Sequence, residues 1–258
     1  MARITTVINQ KGGVGKTTTA HALATGLNHR GYKALVIDTD PQGNISYVMQ
    51  ADTTRAGLYE VMRGELSAAE AIQHTDQGDI ISSSLYLAGA DLEFTQTGRE
   101  YLLREALESI TGNSSSSSSY THVIIDSPPA LGILTINALT ASSDIVIPVG
   151  ADIFSLQGLQ QLLTTVAKVQ KYSNPALNMA GLLITRKGTR AVATRQLIEA
   201  IEGKAATLHE HLYKAIIREG IAIKEAQIMQ GSIFDTHPAA KATMDYSTFI
   251  AEYLAQEA

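Results

Sequence analysis

Short apolar segments rich in β-branched residues recur along the chain, and longer segments of mixed apolar and polar residues separate them. The short segments are almost continuously apolar, which is typical of strands buried on both faces of a parallel sheet. The pattern predicts five such strands, at Arg3–Asn9, Ala34–Asp38, His122–Asp126, Asp144–Val149 and Ala180–Thr185.

The longer segments between these strands have helical spacing. One helix is predicted from Lys16 to about Arg30, where apolar residues form a single stripe and Gly31 marks the end. Further helices are predicted at the capping-box sequence Ser67-x-x-Glu70, at Leu156–Tyr172 and at Ala239–Ala255. Alternating strands and helices predict an α/β fold, a doubly wound, mostly parallel sheet flanked by helices, in one domain over residues 1–258.

One segment interrupts this alternation. Six consecutive serines occupy positions 114–119, just before the strand predicted at His122. A serine run cannot bury apolar area, so residues 113–119 are predicted to form a flexible surface loop that acts as a spacer.

The most informative segment is NQKGGVGKTTT, residues 9–19, which follows the first predicted strand and opens the first predicted helix. Its glycines let the backbone turn tightly, so that several N–H groups and the positive end of the helix dipole can face phosphate oxygens. The Lys16 ammonium is placed to reach the β- and γ-phosphates, and the Thr17 hydroxyl is placed to ligate Mg²⁺. The usual P-loop pattern has glycine where this chain has Gln10, so the early part of the loop is a variant.

The segment therefore predicts a P-loop that binds the phosphates of a nucleotide together with Mg²⁺. The nucleotide-binding residues predicted from the loop itself are Gly12, Gly13, Val14, Gly15, Lys16, Thr17 and Thr18.

Two acidic segments fit the same chemistry. Asp38 and Asp40 lie two residues apart at the end of a predicted strand, which Pro41 terminates. Both carboxylates are therefore predicted on one face, at the C-terminal edge of the sheet, where ligands bind in open α/β folds. Asp126 ends another predicted strand in the same way.

The sequence KGGVGKTT, with an extra lysine at the start of the loop, resembles the deviant Walker A motif of the ParA/MinD family of ATPases. The resemblance implies that Lys11 reaches across a dimer interface to phosphates bound by the other subunit, where a second cation offsets phosphate charge. It implies catalytic roles for Lys11, Lys16 and Asp40, of which Asp40 orients the attacking water. The implied metal-binding residues are Thr17, Asp38 and Asp126, the last acting through a water.

The resemblance extends over nearly the whole chain, and residues 127–132 match a loop that senses the γ-phosphate in the family. In the segment AIIREGIAIKEAQ the family usually has IPRN and SEAP. This chain has Arg218 in place of the proline, Glu219 in place of the arginine and Lys224 in place of the serine. The changes fall on positions that the family uses at the adenine edge and for DNA contacts. The early P-loop resembles the small ParA type, which lacks an N-terminal helix-turn-helix region.

Composition excludes several classes of protein. The chain has no cysteine, which excludes disulfide frameworks, thiolate zinc sites and carriers of Cys-held iron–sulfur clusters. No apolar run approaches the roughly 18 residues of a membrane span, and the N-terminus lacks the layout of a signal peptide, so a cytoplasmic location is expected. His209 and His211 are two residues apart, a spacing that does not place two metal ligands on one helical face.

The basic residues are unevenly distributed. The chain has 25 acidic and 20 basic side chains, a net charge of −5, but residues 168–241 carry eleven basic and six acidic side chains, a local balance of +5. Such a region suits a polyanionic partner. The predicted DNA-binding residues, expected on one face that becomes continuous when two subunits meet, are Arg186, Lys187, Arg190, Arg195, Arg218 and Lys224.

Taken together, the motifs, the charge distribution and the resemblance predict a DNA-partitioning ATPase that acts on a plasmid or chromosome. The resemblance implies that ATP drives a sandwich homodimer and that this dimer binds DNA without sequence preference. It also implies that a ParB-type centromere-binding protein stimulates a weak intrinsic ATPase activity and releases the DNA. Such a protein would be nucleoid-associated in the cytoplasm.

Two alternatives remain open at this point. A MinD-like membrane-cycling positioning ATPase requires a basic amphipathic C-terminal helix. Residues 246–258 contain no Lys or Arg, so no membrane partner is expected. A metabolic P-loop ligase or synthase would need a further substrate site, for which the sequence offers no His/Asp or Lys constellation.

Overall fold

An eight-stranded sheet organises the part of the chain that the structure describes. The structure, a computed structural model, describes residues 2–112, 120–151, 155–187, 191–208 and 210–256. The strands are β1 Arg3–Val7, β2 Ala34–Asp38, β3 Ile72–Thr75, β4 Gly78–Ile81, β5 His122–Asp126, β6 Asp144–Gly150, β7 Asn178–Lys187 and β8 Leu212–Arg218. Their order across the sheet is β3-β4-β2-β5-β1-β6-β7-β8, and only the β3–β4 pair is antiparallel within the described ranges. The predicted doubly wound, mostly parallel sheet is confirmed.

Helices cover both faces of this sheet. They are α1 Lys16–Asn28, α2 Asn44–Val48, α3 Leu58–Arg63, α4 Ala68–Ala71, α5 Ala90–Glu93, α6 Leu102–Thr111, α7 Ile133–Ala141, α8 Ser155–Tyr172, α9 Ala191–Leu208, α10 Ile221–Ile228, α11 Ile233–Thr236 and α12 Lys241–Ala255. Helices α1, α2 and α12 pack on one face, with α10 and α11 beside them. Helices α3 to α9 pack on the other face. Within the described residues, no helix combines the length and apolarity needed to cross a lipid bilayer.

The five strands predicted from apolar runs are present, with ends that shift by a few residues. The first ends at Val7 rather than Asn9, and the last extends to Lys187. Three strands were not predicted, namely β3 and β8 at the two edges of the sheet and β4 beside β3. Strands β3 and β4 have only four residues each, and in β8 buried and more exposed positions alternate because α12 covers only one of its two faces.

The predicted helices are also present, with small differences at their ends. The first ends at Asn28, two residues before the predicted end, and the last begins at Lys241. The capping box is formed, because the Ser67 hydroxyl accepts a hydrogen bond from the Glu70 amide at 3.3 Å. That helix is a single turn, however, since β3 starts at Ile72. The Ser-rich residues 113–119 lie outside the described residues.

The central strands determine where the candidate site lies. Strands β1, β5 and β2 are neighbours, and the register places Val7 beside Asp126 and Asp126 beside Asp38. All three strands run in the same direction, so the loops that follow them leave from one edge of the sheet. This edge is the C-terminal edge at which open α/β sheets bind ligands.

Candidate functional site

The loop between β1 and α1 presents a run of backbone donors that find no partner in the described part of the chain. Gly13 has a φ of 73° and Gly15 a φ of 86°, left-handed values that a residue with a Cβ rarely adopts. Gly15 is the N-cap of α1 and offers no side-chain cap, and the first backbone bond of the helix runs from the Thr19 amide to the Gly15 carbonyl at 2.8 Å. The amides from Gly12 to Thr18 therefore have no acceptor among the described residues, and they form a cradle for an anion.

Hydrogen bonds to neighbouring elements hold this loop in place. The Asn9 amide group donates to the Pro148 carbonyl at 2.7 Å, and its oxygen accepts from the Lys11 amide at 3.0 Å. On the other side, the Thr185 hydroxyl donates to the Val14 carbonyl at 2.7 Å. The loop is consequently held in place by β6 and β7.

Lys16 lies where the P-loop prediction requires it. Its side chain is buried, with 8% of the residue exposed, and its Nζ lies 3.4 Å from the Lys11 carbonyl oxygen. Burial lowers the pKa of the Lys16 ammonium, whereas the nearby carboxylates of Asp126 and Asp40 raise it. An ammonium with one long hydrogen bond can move to phosphate oxygens at little cost.

Asp126 is the least satisfied polar group of the site. It is fully buried, and neither carboxylate oxygen has a hydrogen-bond partner within the part of the chain that is described. Burial raises its pKa well above the usual range, and repulsion from Asp38 adds to this effect. The Thr17 hydroxyl, which lies nearby without forming a geometrically good hydrogen bond, and the Lys16 ammonium oppose the rise. An unpartnered buried carboxylate is costly without a cation. Together with the nearby Thr17 hydroxyl it forms an oxygen donor set that fits Mg²⁺.

Asp38 has partners that its predicted metal role did not suggest. Its Oδ1 accepts from the Asp40 amide at 3.1 Å, and its Oδ2 accepts from the amide and the hydroxyl of Ser46, at 3.1 and 2.6 Å. Burial raises the pKa of Asp38 to about 7, and the bonds from Ser46 limit the rise. Asp38 thus organises the loop that carries Asp40, whereas its predicted support of the Mg²⁺ shell stays a prediction.

Asp40 is positioned by that loop and keeps one oxygen available. Its Oδ1 accepts from the Gln42 amide at 3.0 Å, and its carbonyl accepts from the Ser83 hydroxyl at 2.6 Å. Its Oδ2 accepts no hydrogen bond from the described residues. A carboxylate oxygen at this edge can accept a proton or orient a water molecule.

The predicted DNA-binding residues have different surroundings. Lys224 is exposed on α10, and the backbones of Lys187 and Arg218 are neighbours in the β7–β8 register. Arg186 and Arg218 already have partners: the Arg186 Nη1 donates to the Gly13 carbonyl at 2.7 Å, and Arg218 binds both carboxylate oxygens of Asp245 at 2.7 Å. The side chains of Lys187 and Arg195, and the whole of Arg190, lie outside the described residues.

Several site residues were missed in the sequence. Ser46, Ser83, Asn9 and Thr185 position the loops, but each is a small polar residue of a kind common in turns and strand ends. Asn9 could have been found, since it is a buried polar residue at the start of the P-loop. The others become visible only when the sheet brings distant segments together.

Comparisons with known proteins agree with this geometry. A family sequence model described as an AAA domain matches residues 2–179. The sporulation initiation inhibitor protein Soj of Bacillus subtilis is 38% identical over 232 residues, which are 88% of each chain. The chromosome partitioning protein ParA of Caulobacter vibrioides is 38% identical over 229 residues, 87% of this chain and 83% of that protein.

Solved structures share the fold over the whole length. Cobyrinic acid a,c-diamide synthase from Mycobacterium smegmatis, solved with ADP and magnesium, superposes with a TM-score of 0.85 at 29% identity and covers 100% of this chain and 96% of that one. Cyanothece McdA without nucleotide superposes with a TM-score of 0.86 at 22% identity, covering 98% of this chain and 100% of that one. At this level of identity, the superposition shows only that the two chains share a fold. By its sequence relatives, the chain belongs to the ParA/Soj family of chromosome-partitioning ATPases.

Proposed function

We propose that this chain is an ATP-dependent DNA-partitioning ATPase whose cofactors are ATP and Mg²⁺ and whose single domain spans residues 1–258. The observation that carries the proposal is the buried, unpartnered Asp126 carboxylate beside a cradle of free amides. A metal–nucleotide complex supplies a cation for the carboxylate and anionic oxygens for the amides. The Soj and ParA relatives, at 38% identity, support the partitioning role.

Each residue of the site has a distinct task in this proposal. The amides from Gly12 to Thr18 bind the phosphates, and the Lys16 ammonium neutralises charge on the β- and γ-phosphates. Thr17 and Asp126 hold Mg²⁺, which supplies charge neutralisation during phosphoryl transfer. Asp40 orients the attacking water. Asp38 keeps the Asp40 loop in place through the Asp40 amide.

The proposed cycle needs a second subunit and a partner protein. Lys11 of each subunit contacts the phosphates held by the other, so that ATP joins two chains into a homodimer. One subunit alone then has Lys16 but lacks the second lysine at the transferred phosphate, so it is expected to hydrolyse ATP slowly. A ParB-type centromere-binding protein supplies the stimulation, and the ATPase acts in the cytoplasm on the nucleoid.

The DNA-binding part of the proposal rests on the basic side chains near the ends of β7 and β8. Lys224 is exposed there, and Lys187 and Arg218 are neighbours in register. Arg218 is held by Asp245 and would have to exchange that carboxylate for a phosphate. Arg190 and Arg195 remain predicted contacts.

A MinD-like membrane cycle is the alternative, and the packing of α12 argues against it. A membrane-binding helix exposes its apolar face. In α12 the residues Tyr246, Phe249, Ile250 and Tyr253 are buried against the sheet and α1, with at most 1% exposed. The apolar face of this helix is therefore used in the core.

Replacing Lys11 by alanine should abolish the ATP-dependent dimer and keep some nucleotide binding, because the cis contacts of the P-loop are unchanged. Sedimentation velocity with a non-hydrolysable ATP analogue and Mg²⁺ measures this directly. Lys168→Ala, which removes an exposed lysine of α8, is the matched control and should dimerise as the wild type does. If Lys11→Ala dimerised with the ATP analogue as fully as wild type, Lys11 would not contribute to the dimer interface.

Replacing Asp40 by alanine should leave ATP binding and dimerisation intact but slow hydrolysis on the order of 100-fold, because orienting the water is a transition-state task. Single-turnover hydrolysis of bound ATP is the measurement. Asp76→Ala, at the exposed turn between β3 and β4, should hydrolyse at the wild-type rate. Lys16→Ala should fail earlier, at nucleotide binding. Wild-type turnover by Asp40→Ala would refute the assignment.

Replacing Lys224 by glutamate should weaken binding to random-sequence DNA without changing ATPase activity. Each lost phosphate contact lowers the slope of log affinity against log salt by about 0.9. Fluorescence anisotropy with ATP at several salt concentrations gives both quantities. Lys168→Glu reverses the same charge on the opposite face of the sheet and should bind DNA normally. Equal DNA binding by the two variants would place the DNA site elsewhere.

A further inference from the structure

Two consecutive residues at the end of β7 are bonded to the outer side of the phosphate loop. Buried Thr185 donates from its hydroxyl to the Val14 carbonyl, and the half-exposed Arg186 donates from Nη1 to the Gly13 carbonyl, both at 2.7 Å. The guanidinium also lies close to the Gly13 backbone. A Cβ at this position would lie only 3.3 Å from the Arg186 Nη1. The loop is therefore clamped from the side of β7.

Because of the geometry of the peptide bond, these two hydrogen bonds also fix the direction in which two phosphate-binding amides point. In a trans peptide the carbonyl and the following N–H point in opposite directions. The Gly13 carbonyl shares its peptide unit with the Val14 amide, and the Val14 carbonyl shares its unit with the Gly15 amide. Bonding both carbonyls outward therefore points both amides to the other side. A cation on the carbonyl also polarises the peptide unit and strengthens its N–H as a donor.

The Arg186 backbone adopts an unusual conformation to make this contact. Its φ is 54°, a left-handed value that is uncommon for a residue with a Cβ and costs free energy. The β7–β8 register also shifts between Ile184 and Lys187. A strained backbone that delivers one side chain to the P-loop indicates that the contact has a function.

The second arm of the guanidinium connects the loop to the end of β8. The Arg186 Nη2 lies 3.4 Å from an Oε1 of Glu219, which stands where the resembling family segment has arginine. A planar guanidinium can bridge a carbonyl and a carboxylate at once, whereas an ammonium lacks this fork geometry. Glu219 thereby holds Arg186 in the orientation that reaches Gly13.

We propose that Arg186 is a positioning residue of the nucleotide site rather than a DNA contact: supported by Glu219, it fixes the Gly13–Val14 peptide so that its amide faces the phosphates. The inference rests on the proposed nucleotide binding at the P-loop, and it is independent of the proposed DNA surface. It also accounts for the acidic residue at position 219. Arg186 and Glu219 thus act together to position the Gly13–Val14 peptide.

The test compares nucleotide affinities of Arg186→Met, Arg186→Lys and Glu219→Gln with wild type, using fluorescent ADP and a non-hydrolysable ATP analogue with Mg²⁺. Arg186→Met should bind about tenfold more weakly, the loss expected for one charge-assisted hydrogen bond at a half-exposed site. Arg186→Lys should lie between Arg186→Met and wild type. Arg104→Met, an exposed arginine of α6, should bind as wild type.

Coupling between the pair distinguishes a positioning role from a general structural one. Glu219→Gln should weaken binding about threefold in the wild-type background and have no effect in Arg186→Met. The melting temperature without nucleotide should change little, while the rise produced by nucleotide should shrink. Should Arg186→Met fail to fold, Arg186→Lys and Glu219→Gln still decide the question through the same affinities.

Wild-type nucleotide affinity in Arg186→Met, with DNA binding lost, would overturn the inference and make Arg186 a DNA contact. If Glu219→Gln weakened nucleotide binding equally in wild type and in Arg186→Met, Glu219 would not act through Arg186. A large loss of stability without nucleotide that Arg186→Lys does not restore would assign Arg186 to folding. If wild type itself bound no nucleotide, the proposed function would fail before this inference is reached.

Discussion

The buried carboxylate of Asp126 is the constraint on which the rest of the site depends. It ends β5 at the centre of the sheet, beside Asp38, and has no hydrogen-bond partner among the described residues. Burial raises the pKa of both carboxyls, and repulsion from Asp38 adds to the rise at Asp126. Asp38 is compensated by the amides and hydroxyl around it, whereas Asp126 has no such compensation among the described residues. In the proposed function, the cation of a metal–nucleotide complex supplies it.

The parallel sheet places the Asp126 carboxylate at the same edge as the phosphate loop. Because β1, β5 and β2 run side by side in the same direction, the P-loop, Asp126 and the Asp40 loop all leave from one edge. Bonds from β6 and β7 hold the P-loop from outside, so its amides are already oriented for phosphate. Preorganised donors of this kind lower the cost of binding a charged ligand and of stabilising charge in the transition state.

The sequence predicted the parts of this arrangement that depend on local pattern. Apolar runs located the central strands, and the glycines, Lys16 and Thr17 located the phosphate loop in its strand–helix context. The bonds from Asp38 to Ser46, from Arg186 to Gly13 and from Arg218 to Asp245 join residues that are 8, 173 and 27 positions apart. No local pattern specifies such pairs. A prediction from charge alone therefore could not show that each of these arginines has a partner within the chain.

In the proposed function, the unpartnered Asp126 carboxylate holds Mg²⁺ together with the nucleotide. Isothermal titration of nucleotide into wild type and Asp126→Asn, each with Mg²⁺ and with a chelator, measures this role. Mg²⁺ should tighten nucleotide binding to wild type and have little effect on Asp126→Asn. Without nucleotide, Asp126→Asn should melt at a higher temperature than wild type, because an unpartnered buried carboxyl and its repulsion from Asp38 have been removed. If Mg²⁺ tightened nucleotide binding to Asp126→Asn as strongly as to wild type, Asp126 would not be a metal-binding residue.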